Sequence, residues 1–206
     1  MSETHHHHNH DHRTTSHGQT KRYWLEDFLA HLRMQHVIRS IPERSIVCDM
    51  GCGYRGRFLF TYQDRFTKAY GFDIAVDTQL SNDRVTLQPA NVNQHIPLPD
   101  NAMDVVTSLA VLEHLSDRQQ HLREVYRILK PNGRLLLTTP TPANKPLLEL
   151  LAFRLHVTDA TEISDHKCYM SDQDLRDLLA QAGFKQEKIK TSTWQLGLNN
   201  FVFALK

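Results

Sequence analysis

The sequence predicts an α/β protein: a mostly parallel sheet with helices on both faces, closed by an antiparallel pair of strands. Three observations predict it. Short apolar or β-branched segments alternate with helix-period segments from residue 45 to about residue 139. The turns after the first two of these segments carry glycine and aspartate, the residue types a ligand-binding sheet edge needs. The last two strand-like segments, Phe184 to Thr193 and Asn200 to Leu205, leave no room for a crossover helix between them, so they pair antiparallel.

Thr20 to Ile41 has helical periodicity. Leu25, Phe28, Leu29 and Leu32 share one face, and Met34, Val37, Ile38 and Ile41 share roughly the opposite one. A helix apolar on two sides is bent or covered twice. Pro42 stops it. Ser45 to Met50 (SIVCDM) reads as a buried strand, followed by the turn GCGYRG and a helix over Arg57 to Phe66. Ala69 to Asp73, Arg84 to Gln88, Met103 to Ser108 and Arg134 to Thr139 read as further strands. Before the last of these lies a strong helix, Asp117 to Lys130. Ser116 is its expected N-cap, Leu122, Val125, Tyr126 and Leu129 its apolar face, and Pro131-Asn132-Gly133 its stop. Leu147 to Leu155 (LLELLAFRL) is a short apolar helix candidate. Ser171 caps a final helix with Asp174 in the capping-box position, and Gly183 ends it.

The chain has 206 residues, which suits one domain over 19–206 with a full interior. Residues 1–18 stand apart. They hold seven of the fourteen histidines and no large aliphatic side chain after Met1, so they are expected to be a disordered tail, either a purification tag or a natural metal-binding segment. Twenty-four basic against 23 acidic residues gives a net charge of +1, without the basic surplus of a nucleic-acid binder. Cys48, Cys52 and Cys168 make no disulfide framework. With no signal pattern and no apolar run near the ~18 residues of a membrane span, they predict a cytoplasmic protein.

Chemistry concentrates at the carboxyl ends of the strands. Gly51, Gly53 and Gly56 fit G-x-G-x-x-G, which alone also fits a dinucleotide site. Asp49, two residues before the first glycine, discriminates. A carboxylate beside that turn repels a pyrophosphate and suits a cation such as an amino group. Asp73 ends the second strand, where an acid can accept from both hydroxyls of a ribose, and Ile74 beside it offers apolar cover for a base. Asn91, after the third strand, can accept through its amide oxygen, with the Val92 N–H beside it; a plain turn residue fits equally well.

The segments VCDMGCGYRG (47–56), YGFD (70–73), IPLPDNAMDVV (96–106), LAVLEHL (109–115), LREVYRILKPNGRLLLTTP (122–140) and the stretch ending LLAQAGF resemble a class I S-adenosylmethionine-dependent methyltransferase. The resemblance runs from about Arg44 to the C-terminus. It implies a three-layer, Rossmann-like, seven-stranded sheet with an antiparallel last strand. It also implies S-adenosyl-L-methionine as cofactor. Asp49, Gly51, Gly53 and Tyr54 would hold its methionine end, with the backbone at Ser108 and Leu109. Asp73 and Ile74 would meet the ribose and one adenine face, and Asn91 and Val92 the adenine edge. Arg55 stands where the family often has glycine, and Asn91 where it more often has aspartate.

Methyl transfer from a sulfonium is an in-line displacement, and a base is needed only if the acceptor must lose a proton. His114, after the fourth strand, is the first candidate base, and His166, before the last helix, the second. LAVLEHL also resembles quinone O-methyltransferases that bind a metal through two acids and the histidine, but Ala110 stands at the first acidic place, so no metal is expected. The N-terminal helix, with Tyr23 and Trp24, is a candidate lid. LLELLAFRL is apolar enough to line a pocket or touch a lipid-linked substrate, and packing on the sheet explains it as well. The near-neutral charge fits a small-molecule, glycan or lipid-precursor acceptor. An NAD-dependent oxidoreductase and a non-catalytic S-adenosylmethionine-binding partner protein are the alternatives.

Overall fold

The structure, a computed structural model, describes residues 24–143 and 169–206. The histidine-rich tail, Tyr23, the apolar segment Leu147 to Leu155 and His166 lie outside the described residues. The elements in chain order are α1 (Trp24–Ile38), β1 (Ser45–Met50), α2 (Arg57–Thr61), β2 (Phe66–Asp73), β3 (Val85–Pro89), β4 (Met103–Leu109), α3 (Arg118–Ile128), β5 (Leu129–Pro140), α4 (Asp172–Ala182), β6 (Ile189–Trp194) and β7 (Asn199–Leu205).

They form one seven-stranded sheet in the order β3-β2-β1-β4-β5-β7-β6. The pairs among β1 to β5 are parallel. β7 runs antiparallel to both of its neighbours, as the short final connection predicts. Chain order reverses between β1 and β4, and at such a point the loops leaving adjacent strands diverge and open a crevice at the carboxyl edge.

The sheet has a core on each face. Cys48, Met50, Val106, Leu135 and Leu137 point to the side covered by α3 and α4, where Leu122, Val125, Ile128, Leu175 and Leu179 meet them. Val47, Val105 and Leu136 point to the other side, against Met34, Val37 and Ile38 of α1 and Phe58 and Leu59 of α2. The two-residue period of the strands delivers alternate side chains to the two cores. Of the two apolar faces expected on α1, the second is buried at Met34, Val37, Ile38 and Ile41, whereas on the first Leu29 and Leu32 are half-buried and Phe28 is 51% exposed. The Arg65 guanidinium donates to the carbonyls of Ile38 and Ile41 (3.3 and 3.2 Å), closing the helix before Pro42.

Several boundaries differ from expectation. Asp117, not Ser116, caps α3, its side chain accepting the Gln120 N–H at 2.9 Å. α3 stops at Ile128, two residues before the expected Lys130, because Leu129 already pairs with Met103. β5 therefore starts before Arg134, and Pro131-Asn132-Gly133 falls inside it, with Asn132 at φ 62°. The expected helix over 57–66 ends at Thr61, and Phe66 begins β2 by pairing with Ser45. β6 starts at Ile189, after a 3-10 turn over Gln186–Lys188. The capping box at Ser171 and Asp174 forms as expected, with Gly183 at φ 114° ending the helix.

Candidate functional site

β1 is the central strand of the parallel set, and its last two residues carry the chain to the carboxyl edge. Val47 and Asp49 alternate with Cys48 and Met50, so Asp49 lies opposite Gly71 of β2 and Thr107 of β4 in the register. Its carboxylate is 3% exposed. Thr107 Oγ1 donates to Asp49 Oδ1 at 2.6 Å. Burial pushes the Asp49 carboxyl up from 3.8 to about 7; the Thr107 hydroxyl opposes this and the nearby Asp73 charge adds to it. No ion pair involves Asp49 among the described residues. A buried carboxylate with one hydroxyl and no cation is short of a positive partner.

The chain then turns sharply. Gly51 sits at φ +85°, and a Cβ there would overlap Val111, the residue just past the end of β4. Glycine is the residue that tolerates both. Gly51 N and Cys52 N donate to the Phe72 carbonyl at 2.7 and 3.1 Å. Gly53 N donates to Asp73 Oδ2 at 2.8 Å, and Ile74 N to Asp73 Oδ1 at 2.7 Å. Asp73 thus organises the glycine turn and its own loop while keeping lone pairs for a ligand. Tyr54 is half-buried and its carbonyl accepts from Asp77 N at 2.8 Å. Ile74, next to Asp73, is 65% exposed.

The loop after β3 lies beside it, since Ala90 N donates to the Asp73 carbonyl at 2.8 Å. Asn91 is exposed, and its side-chain oxygen accepts from Asn93 N at 3.0 Å, so one lone pair is used within the loop. The Val92 side chain is buried. The structure therefore brings Asp49, Gly51, Gly53 and Asp73 into direct contact or close range, and sets Asn91 and Val92 alongside.

At the end of β4, the Ser108 side chain is fully buried and turned toward α3, hydrogen-bonded to His121 at 3.0 Å. Only its backbone can face a ligand, and Leu109 is half-buried beyond it. Ala110 has φ 57°, a left-handed conformation uncommon for a residue with a Cβ, held by its N–H donating to Thr138 O (2.9 Å) and Thr138 Oγ1 (3.1 Å). Of the next acid–histidine pair, Glu113 turns inward. It is 1% exposed and accepts from Thr139 Oγ1 at 3.1 Å. Burial raises its carboxyl, outweighing the pull of His114, Arg33 and Thr139. His114 is exposed on the short turn Leu112–His114. A concavity of about 540 Å³ lies elsewhere, between the start of α3 and α4, lined by Gln119, Met170 and Leu178 among others.

Two polar side chains of this edge escaped the sequence reading. Thr107 was legible in principle, since strand alternation puts it on the Asp49 side of the sheet. His121 carries no motif; only its place on the buried face of α3, one residue before Leu122, hints at it.

The chain matches a methyltransferase-domain family over residues 20–189. It is 30% identical over 143 residues to a dimethylglycine N-methyltransferase of Parasynechococcus marenigrum, covering 63% of this chain and 50% of that protein. It is 31% identical over 113 residues to a ubiquinone/menaquinone biosynthesis C-methyltransferase of Pseudoalteromonas translucida, covering 48% of this chain and 45% of that one. The chain spans about half the length, or less, of the curated relatives it matches. Its fold is similar to that of an S-adenosylmethionine-dependent methyltransferase of Archaeoglobus fulgidus, with TM-score 0.67 at 18% identity over 87% of this chain and 94% of that one. It is also similar to one of Mesorhizobium loti, with TM-score 0.62 at 16% identity over 84% and 96%. Among the described residues, no helix is long and apolar enough to cross a membrane.

Proposed function

This chain belongs to the class I S-adenosylmethionine-dependent methyltransferase family, and from that premise we propose that it methylates a small-molecule, glycan or lipid-precursor acceptor by in-line displacement. Asp49 carries the reading. Its buried carboxylate, lacking a cation among the described residues and raised to about 7, suits the ammonium group of a methionine moiety and repels the pyrophosphate of a dinucleotide. The glycine turn fits the same ligand, because at Gly51 the backbone approaches Val111 more closely than any side chain allows.

In this pose Asp49, Gly51, Gly53 and Tyr54 hold the methionine end, with the backbone of Ser108 and Leu109 along its other side. Asp73 takes the ribose hydroxyls, its carboxylate pre-aligned by the N–H groups of Gly53 and Ile74. Ile74 covers one adenine face. Asn91 and the Val92 N–H meet the adenine edge. The bound donor supplies an electrophilic methyl on a positively charged sulfur. Fixing acceptor and methyl in line supplies roughly 7–11 kcal/mol of the barrier. For a hydroxyl acceptor, His114, exposed on its turn, is the proposed base.

The relatives named for dimethylglycine and quinone chemistry, with the balanced charge of the chain, favour a small acceptor over a nucleic acid. Calorimetry with S-adenosylhomocysteine and with NADH tests the assignment. Binding of the first without the second is expected; binding of NADH alone would make the chain an oxidoreductase and overturn it.

A further inference from the structure

We propose that His121 is a positioning residue that locks the adenine-binding loop to the end of β4. The inference rests on the adenine assignment of Asn91 and Val92 made above. His121 lies on α3 and is wholly buried, as are Leu122, Val125 and Ile128, with Glu124 also buried on this helix. Its ring bridges two segments distant in the chain. Nδ1 lies 3.0 Å from the Val92 carbonyl, and Nε2 lies 3.0 Å from Ser108 Oγ.

The proton positions follow from the partners. A carbonyl can only accept, so Nδ1 carries the hydrogen and donates to Val92. Nε2 then accepts from the Ser108 hydroxyl. Burial lowers the imidazole to about 4, against the opposing pull of the Val92 carbonyl, so the ring is neutral at physiological pH and this tautomer holds. A leucine at this place would fill the core but leave the Val92 carbonyl and the buried Ser108 hydroxyl without this partner. The imidazole costs desolvation at two nitrogens and recovers it only through these two directional bonds. What they add is orientation.

Other contacts also hold this loop. Ala90 N reaches the Asp73 carbonyl at 2.8 Å, and Gln94 N the Asn91 carbonyl at 2.9 Å. Asn91 Oδ1 accepts from Asn93 N at 3.0 Å. Asp117 N donates to Asn93 Oδ1 at 3.4 Å, and the Val92 side chain packs in the core; beside these contacts the His121 bond fixes the Val92 carbonyl and so the direction of the backbone there. Its other end grips Ser108, where the β4 backbone turns toward the methionine end.

The test compares affinity for S-adenosylhomocysteine with affinity for its deaminated analogue, S-inosylhomocysteine, in the wild-type chain and in His121→Phe, His121→Asn and His121→Gln. Asn places a donor where Nδ1 was and can keep the Val92 bond. Gln reaches only to the Nε2 position and can keep only the Ser108 bond. The wild type is expected to prefer the adenine form. His121→Phe should weaken S-adenosylhomocysteine binding about five- to tenfold and erase the preference. His121→Asn should stay within about threefold of the wild type with its preference intact, and His121→Gln should behave like His121→Phe. A role in core packing alone would lower thermal stability without moving the ratio of the two affinities. If His121→Phe does not fold, the Asn and Gln variants decide, and equal ratios in those two overturn the inference. A wild type that prefers adenine, together with a folded His121→Phe that still does, overturns the inference alone. A wild type that binds both ligands equally overturns the adenine assignment, and the inference with it.

Discussion

Replacing Asp49 with Asn should make the ligand-free protein more stable while abolishing tight cofactor binding. Asn keeps an oxygen for the Thr107 hydroxyl, which meets the carboxylate at 2.6 Å, and it has nearly the same shape. It removes the charge and turns the second oxygen into an amide donor. Burial raises the Asp49 carboxyl from 3.8 to about 7 in the folded chain. Between those values the folded state holds a proton that the unfolded state has released. Stability from this group is therefore complete below about pH 4 and is lost as pH rises through about 7. At 1.36 kcal/mol per pH unit, the loss is about 2 kcal/mol by pH 5 and about 4 kcal/mol by pH 8. Asn carries no such loss. Urea unfolding of both proteins at pH 5 and pH 8 reads the difference directly, and the advantage of Asp49→Asn should grow by about 2 kcal/mol between the two. Saturating S-adenosylhomocysteine at about 100 times its Kd should return roughly 2.7 kcal/mol to the wild type and much less to the variant. A variant no more stable than the wild type at pH 8, or a wild type whose stability does not decline over this range, would refute the claim that Asp49 is an unneutralised buried charge.

Asp73→Ala should weaken S-adenosylhomocysteine binding by about 1–3 kcal/mol by calorimetry, through lost ribose contacts and loss of the bonds that align Gly53 and Ile74. An unchanged affinity would remove Asp73 from the site. Gly51→Ala places a Cβ on Val111 at φ +85° and should lower the melting temperature and eliminate cofactor binding. Adding Val111→Ala should recover part of the stability, and a Gly51→Ala protein as stable as the wild type would refute the tight turn. With a hydroxyl acceptor, His114→Ala should reduce turnover about 10²–10⁴-fold while sparing donor affinity. Equal turnover would clear His114 of a base role.

How much of this was readable from the amino acids divides along the physics. Strand existence and order of elements were legible because buried parallel strands are nearly continuous apolar runs; Ser45–Met50 matches the expectation residue for residue. The ends of elements were less so. Lys130 has good helix propensity, yet pairing of Leu129 with Met103 claims the chain first. Asp117 took the cap from Ser116, since both can serve and only the arrival angle of the chain chooses between them. Within the candidate site, Asp49 stood out by its spacing to the glycines and Asp73 by ending the second strand. Ser108 was placed correctly at the strand end, but its side chain points away from the cleft, because the direction depends on the pleat phase of β4. His121 depends on a contact between α3 and a loop 29 residues earlier, and no local pattern encodes that.

The two acidic grips of the proposed site have a cost in use. Asp49 would hold an ammonium and Asp73 a sugar, and neither group changes when the methyl leaves. The spent molecule differs from the fresh one only at sulfur, out of reach of both. It should therefore linger with comparable tenacity, crowding out the next donor as it accumulates. Sustained work by this chain thus calls for a scavenger, a hydrolytic or lytic activity on the leftover thioether nucleoside, and the pace would follow how fast that clearance runs.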